Sequence, residues 1–383
     1  KPNGHNPLFG DSDDTDMRDI MVDALLCLAD LILSYYGFDR LDFNTVWQTG
    51  YKSIEKYNNI GKIPPSFNNA FLADSGNYIL RENQTKASNY LLFHNGYTGA
   101  GHAHADKLHF DLMIKGRDVL VDAGRYTYLN NAQRRYIKSP KAHNVCLIDN
   151  KQYLNVSSQW ETKNPALAVQ YPCFDNEYCT LIGGAHLGYL KSRNAFVERK
   201  IFYIKPDIYV IVDVFKAKGF HTYQQYFHFA PTGKITISAN NAQFDDGIVK
   251  ANMHFVTPNA KIKKENSIYS SNYNAICKND CIKSSFFALG NTSAITVIYG
   301  NTAKNFVPYD VSFEQIKTAR SEKMLNASKA AGVVIKTPKK EYTICLAFKE
   351  LKEPFGCNNK IGSGTISVFE NDKLILLNGE GKQ

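Results

Sequence analysis

The sequence has no apolar run approaching the roughly 18 residues of a membrane-crossing helix. It has no dense Lys/Arg tract of the kind that grips a nucleic-acid backbone. It has no internal repeat, linker or low-complexity stretch, so repeat architectures and disordered chains are set aside. Its eight cysteines (27, 146, 173, 179, 277, 281, 345 and 357) are scattered. Cys277 and Cys281 form a lone C-x3-C without a second pair, Cys173 and Cys179 are no clearer, and neither pair carries the spacing of a zinc site. Cys146 and Cys345 lie inside apolar runs and read as buried thiols, so cysteine usage does not reveal the redox compartment. No secretory leader is visible at Lys1. The loop-like opening KPNGHNP is unlike a natural beginning, and an upstream part of the protein is expected to precede it.

What is there suits a globular chain of two or three domains: 383 residues, 44% of them apolar. Forty-five Lys and Arg against 36 Asp and Glu leave +9, compatible with an ordinary surface or with a cleft that attracts a polyanion. Tyrosine and phenylalanine number 23 each, mostly for strand cores; rings exposed in a cleft also stack on sugars. Ser12 or Asp13 is placed to cap a helix whose apolar positions Ile20, Ala24, Leu28, Leu31, Ile32 and Tyr35 continue to Gly37. A second helix is expected from Asp42, through Phe43, Val46, Trp47, Gly50, Tyr51 and Ile54. Beyond Pro64 and Pro65 the texture changes to strands. These are expected at 72–81, 89–95, 108–115, 119–122, 144–149, 196–204, 208–214, 222–229, 235–238, 294–299, 332–337, 342–348, 365–370 and 373–377, with a short helix somewhere in 310–330. Dense strands joined by short turns predict antiparallel sheets packed face to face. The expected division is helices over 1–64 and a large antiparallel β-sandwich over 65–383.

Candidate chemistry concentrates between Gly101 and Tyr128. Leu108, Phe110, Leu112 and Ile114 alternate with Lys107, Asp111 and Lys115, which predicts a half-buried strand. Extended backward, that parity puts His102, His104 and Asp106 on the apolar side, and it puts His109 toward solvent. Asp122 ends the returning strand, and His143 opens the next apolar run. Two imidazoles and a carboxylate suit zinc, with a fourth position left open. Known patterns built on H-x-H fit poorly. A metallo-β-lactamase-type site needs histidine where Lys107 stands, and a cupin needs a nearby glutamate that is absent. His221 and His228 lie in an aromatic strand and read as packing residues with hydrogen-bond partners.

GHAHADKLHF (101–110), LVDAGRYTY (120–128), RRY (134–136) and AHN (142–144) together resemble the heparinase II/III family of polysaccharide lyases. GDSD (10–13), FLADSGNYILR (71–81) and ERKIFYIKPDIYVIVD (198–213) extend the resemblance over roughly residues 4 to 230. It implies that the first helices are the tail of an α/α toroid. It implies metal ligation, usually of zinc in a structural role, by His104, Asp122 and His143, and makes His102 a catalytic histidine. It gives Tyr126, Arg134, Arg135 and Tyr136 as candidate substrate contacts. The implied reaction is β-elimination on a uronic-acid polysaccharide, heparin or heparan sulfate first and alginate next, in the periplasm or outside a bacterial cell. A catalytic Tyr and an Asn or His are expected from the upstream helical domain. The rival expectation is a carbohydrate-binding sandwich that keeps its metal only to hold the fold.

Overall fold

The segment IYVIVDVFKA is apolar at nearly every position, which demands burial on both faces. It forms the strand Ile208–Ala217 at the centre of a nine-stranded antiparallel sheet, between Ala195–Ile204 and Thr292–Thr302. This computed structural model describes residues 1–377 except 29–30, 38–40, 100, 157, 159 and 164.

Two layers cover that central sheet. Tyr209, Ile211 and Phe215 face one core with Phe110, Leu112, Tyr223 and Phe227. Val210, Val212 and Val214 face a second core with Val333, Ile344 and Val368. The first covering layer is a five-stranded meander, Ala70–Leu72 to Arg117–Leu120, beside a four-stranded sheet containing Phe220–His228 and Cys146–Ile148. Val121 N–H donates to His228 O at 3.0 Å and Ala230 N–H to Val119 O at 3.0 Å, joining these two sheets edge to edge. The second covering layer is the five-stranded C-terminal sheet from Asp310–Glu314 to Lys373–Leu377. The architecture is thus stacked antiparallel sheets, as the strand density predicts.

Several expectations need correction. No helix occurs between 310 and 330; Asp310–Glu314 and Lys317–Thr318 are strands there. The first helix begins at Arg18, and Asp13 caps nothing, its carboxylate accepting instead from Arg125 Nε at 2.8 Å. The second helix does start after Asp42, which accepts from Thr45 N–H at 2.7 Å. It stops at Gly50, whose φ of +84° lies outside helical space, and a further turn follows at Lys52–Asn58. Strands at Cys179–His186, Lys261–Tyr269 and Cys277–Leu289 were not expected.

Candidate functional site

The meander strand is His109–Ile114, and both of its faces are buried, Asp111 included. The half-buried pattern therefore fails. It fails backward too, because Leu108 has φ +65°. A bulky residue in the left-handed region breaks strand alternation. His104 consequently lies fully buried, while the His102 side chain, two residues away, is 67% exposed. Lys107 and His109, expected at the surface, are buried as well. His109 Nε2 pairs with Asp111 at 2.9 Å and its Nδ1 accepts from Asn144 N–H at 3.0 Å. Burial works against its protonation, but the Asp111 and Asp122 carboxylates outweigh that and raise its pKa.

Arg199 holds this irregular turn in place. Fully buried, it pairs with Asp213 directly across the central sheet at 2.6 Å. The same guanidinium donates to Leu108 O and to Asn144 O, each at 2.6 Å. Asn144 Nδ2 then donates to Phe110 O at 2.8 Å and its Oδ1 accepts from His228 N–H at 2.6 Å. One cation from the middle layer thereby fixes the two backbone segments that carry the site histidines.

The structure brings His104, Asp122 and His143 together, all buried, with one ligand atom of each within 4.8 Å of the others. His143 Nδ1 pairs with Asp122 Oδ2 at 2.7 Å, and Asp122 Oδ1 accepts from Gly124 N–H at 2.8 Å. His104 Nε2 pairs with Asp11 Oδ1 at 2.9 Å. With a carboxylate taking the proton of one nitrogen on each ring, the other nitrogen keeps a bare lone pair. Those nitrogens, His104 Nδ1 and His143 Nε2, are buried without a hydrogen-bond partner. Two orphaned imidazole lone pairs beside a carboxylate, each ring backed by a carboxylate, fit a divalent cation. Burial opposes ionisation of Asp122, but His143 beside it holds its carboxyl well below the usual range.

Asp11 is a site residue that the sequence does not single out, since it stands there only as one letter of the 10–13 motif. Its side chain is 3% exposed. It accepts from Arg134 at 2.5 and 2.8 Å, from His104, and from His102 Nδ1 at 2.9 Å. Burial would raise its pKa, but the hydrogen bonds from His104 and Arg134 lower it well below the carboxylate range. Arg134, expected at the substrate, is instead fully enclosed and committed to Asp11. Arg135 is exposed and donates to Asn130 at 2.7 Å. Tyr136 shares a hydroxyl–hydroxyl hydrogen bond with Ser267 at 2.9 Å, and together with Tyr126 it lies half-buried against Ala123, Ile137 and Ala142. The rings that do border His102 are Tyr128 and Trp160, with centroids 5.7 and 5.5 Å away. Lys138 Nζ donates to Gly101 O at 2.6 Å, and burial together with the Arg134 charge lowers its pKa to about 8.

Comparison with known proteins bears on the family and the fold. A model of the heparinase II/III-like C-terminal family matches residues 64–298. A curated heparin-sulfate lyase of Pedobacter heparinus is 25% identical over 188 residues, 46% of this chain and 26% of that protein. The crystal structure of heparan sulfate lyase HepC from Pedobacter heparinus superposes with a TM-score of 0.72 at 15% identity, over 92% of this chain and 52% of that one. A heparinase III structure gives 0.68 at 14% identity, over 89% of this chain and 50% of that one. The chain thus spans about half the length of the solved structures, and those likenesses speak to the fold. With well over half of its residues inside the matched region, the chain belongs to the heparinase II/III-like C-terminal family.

Proposed function

We propose that this chain is the sandwich portion of a polysaccharide lyase that cleaves a uronic-acid polysaccharide by β-elimination, with heparin or heparan sulfate the favoured substrate and alginate next. The observation that carries the reading is one exposed imidazole, His102, hydrogen-bonded through Nδ1 to a buried carboxylate beside the His104–Asp122–His143 trio. With Asp11 accepting from Nδ1, the Nε2 lone pair of His102 faces solvent, where a general base must stand. Its task is to take the C5 proton of the uronate. The C4=C5 double bond forms, the C4–O bond breaks, and an acid protonates the leaving oxygen. That acid, with donors to neutralise the uronate carboxylate, is expected from the upstream helical domain. His104, Asp122 and His143 would hold the cation, zinc by donor type. When bound it supplies a fixed positive charge that locks the buried rings. A substrate too large to enter a cell favours a periplasmic or secreted setting.

The test is the ultraviolet absorbance of unsaturated uronate on incubation with heparan sulfate and with alginate. Product is expected from the protein that carries its upstream helical domain, and none from His102→Ala in that same protein with circular dichroism unchanged. Full activity in His102→Ala rejects the role. Binding without any chromophore, in the protein that carries its helical domain, favours a carbohydrate-binding sandwich instead, a reading supported by the depth at which the cation trio is buried.

A further inference from the structure

We infer that Trp160, stacked on Tyr128, is a sugar-stacking subsite that seats a pyranose ring of the chain beside His102, an inference that rests on the lyase reading above. Trp160 is 46% exposed and Tyr273 45% exposed, at the same rim as the outward-facing imidazole. The indole lies 4.9 Å from the Tyr128 ring at an interplanar angle of 30°, and Tyr273 continues the wall at 5.7 Å from Tyr128. Large rings left facing water in one contiguous group mark a binding surface rather than scattered exposure.

The wall is braced from behind. The Arg125 guanidinium lies over Tyr128 at 5.1 Å and over Tyr273 at 4.8 Å, and it is anchored to Asp13. Its terminal nitrogen donates to the Tyr128 hydroxyl at 2.7 Å. Gly101 makes room for the indole: a Cβ there would stand 3.1 Å from both the Trp160 ring and the Trp160 carbonyl oxygen. A wall already assembled in the unbound protein costs little ordering on binding. Its chemistry selects the occupant. The apolar C–H face of a pyranose covers an electron-rich ring, while its hydroxyls stay at the polar rim formed by His102 and the Tyr128 hydroxyl. A protein partner would want a broader apolar patch than this narrow wall bordered by an imidazole and a guanidinium.

The two tryptophans of the chain are Trp47 and Trp160, so Trp47→Phe leaves Trp160 as the sole indole reporter. Titrating that full chain with size-defined heparan sulfate and alginate oligosaccharides is expected to give a saturable change in emission. Trp160→Ala in the otherwise native chain should weaken binding by about tenfold in calorimetry, as expected for loss of one stacked ring, with Trp160→Phe recovering most of it. Where turnover is present, the loss should fall on KM rather than kcat. Wild-type affinity in Trp160→Ala, an emission unchanged at saturation, or no binding of any oligosaccharide overturns the subsite. Saturable Trp160-dependent binding without unsaturated product, in the protein that carries its upstream helical domain, leaves the subsite standing and rejects the lyase reading. Product formation with an unchanged KM in Trp160→Ala does the reverse.

Discussion

Asp11 holds four donors on two oxygens: both ends of the Arg134 fork, one nitrogen of His104 and one of His102. Such an arrangement ties the exposed base to the buried trio through one carboxylate, so His102 and His104 cannot reorient independently. Removing the carboxylate leaves the fully enclosed guanidinium of Arg134 without a counter-charge. Asp11→Ala should therefore cost about 3–5 kcal/mol in urea unfolding. Arg134→Met added to Asp11→Ala should recover much of that, since an apolar pair replaces a stranded charge. A double variant no more stable than the single would show that the ion pair is not what Asp11 supports. The H-x-H, the strand-ending aspartate and the loop histidine are local signals that draw His102, His104, Asp122 and His143 into one neighbourhood, and the family resemblance is what selects His104, Asp122 and His143 from it. Asp11 sits more than ninety positions before His104, and nothing in its local pattern reveals what it meets. Arg134 is a candidate substrate contact only through the resemblance, and its burial against Asp11 is a long-range contact that its local sequence does not show.

The strand Ala195–Ile204 and its neighbour Ile208–Ala217 act on the site from a layer away. Arg199 and Asp213 are register partners, and the arginine still has donors left for Leu108 O and Asn144 O. Lysine in that place keeps the charge but offers a point where a fork is needed. Arg199→Lys is expected to lower the melting temperature. It should also weaken the cation site by about tenfold, the scale of supporting-shell losses, measured by competition with a chromogenic chelator. Unchanged metal competition would detach the arginine from the site. At this scale the long apolar runs were legible, because the central strand Ile208–Ala217, packed between two cores, carries Ile or Val at half of its positions. The strands Lys261–Tyr269 and Cys277–Leu289 were not, since their sequences KIKKENSIY and CKNDCIKSSFFAL carry lysine, asparagine and aspartate through much of the run. Their pairing, with each other and with Phe220–His228, is what stabilises them. The alternation around His109 could be read only as far as Leu108, whose positive φ leaves no trace in the order of residues.

The stacking of three layers also places imidazoles where protons are unwelcome. His186 lies in the strand Cys179–His186, its ring 4.4 Å from that of Tyr153, and burial pushes its pKa down to about 3, assisted by the charges of Lys107 and Arg199. Burial likewise lowers His228 to about 3 and His94 to about 4. An unfolded histidine takes a proton near 6.5, so between about pH 4 and 6.5 the unfolded chain binds protons at these positions that the folded chain does not. Stability contributed by these groups is therefore complete above pH 6.5 and is lost as the pH falls toward 4. His109 works in the other direction, since its folded pKa is raised and its contribution fades as the pH climbs. Burial lowers His104 and His254 as well, so the lowered groups outnumber His109 and leave a net loss on acidification, and urea midpoints taken at intervals from pH 7.5 to 4 should fall steadily below 6.5. His186→Gln removes one of these groups without touching the cation trio. Its stability curve should start lower, because a polar amide replaces a packed ring, but should fall less steeply between pH 6.5 and 4, by close to one proton. A slope equal to the wild type's would mean that His186 takes its proton in the folded protein, which the enclosure of that strand between the layers forbids.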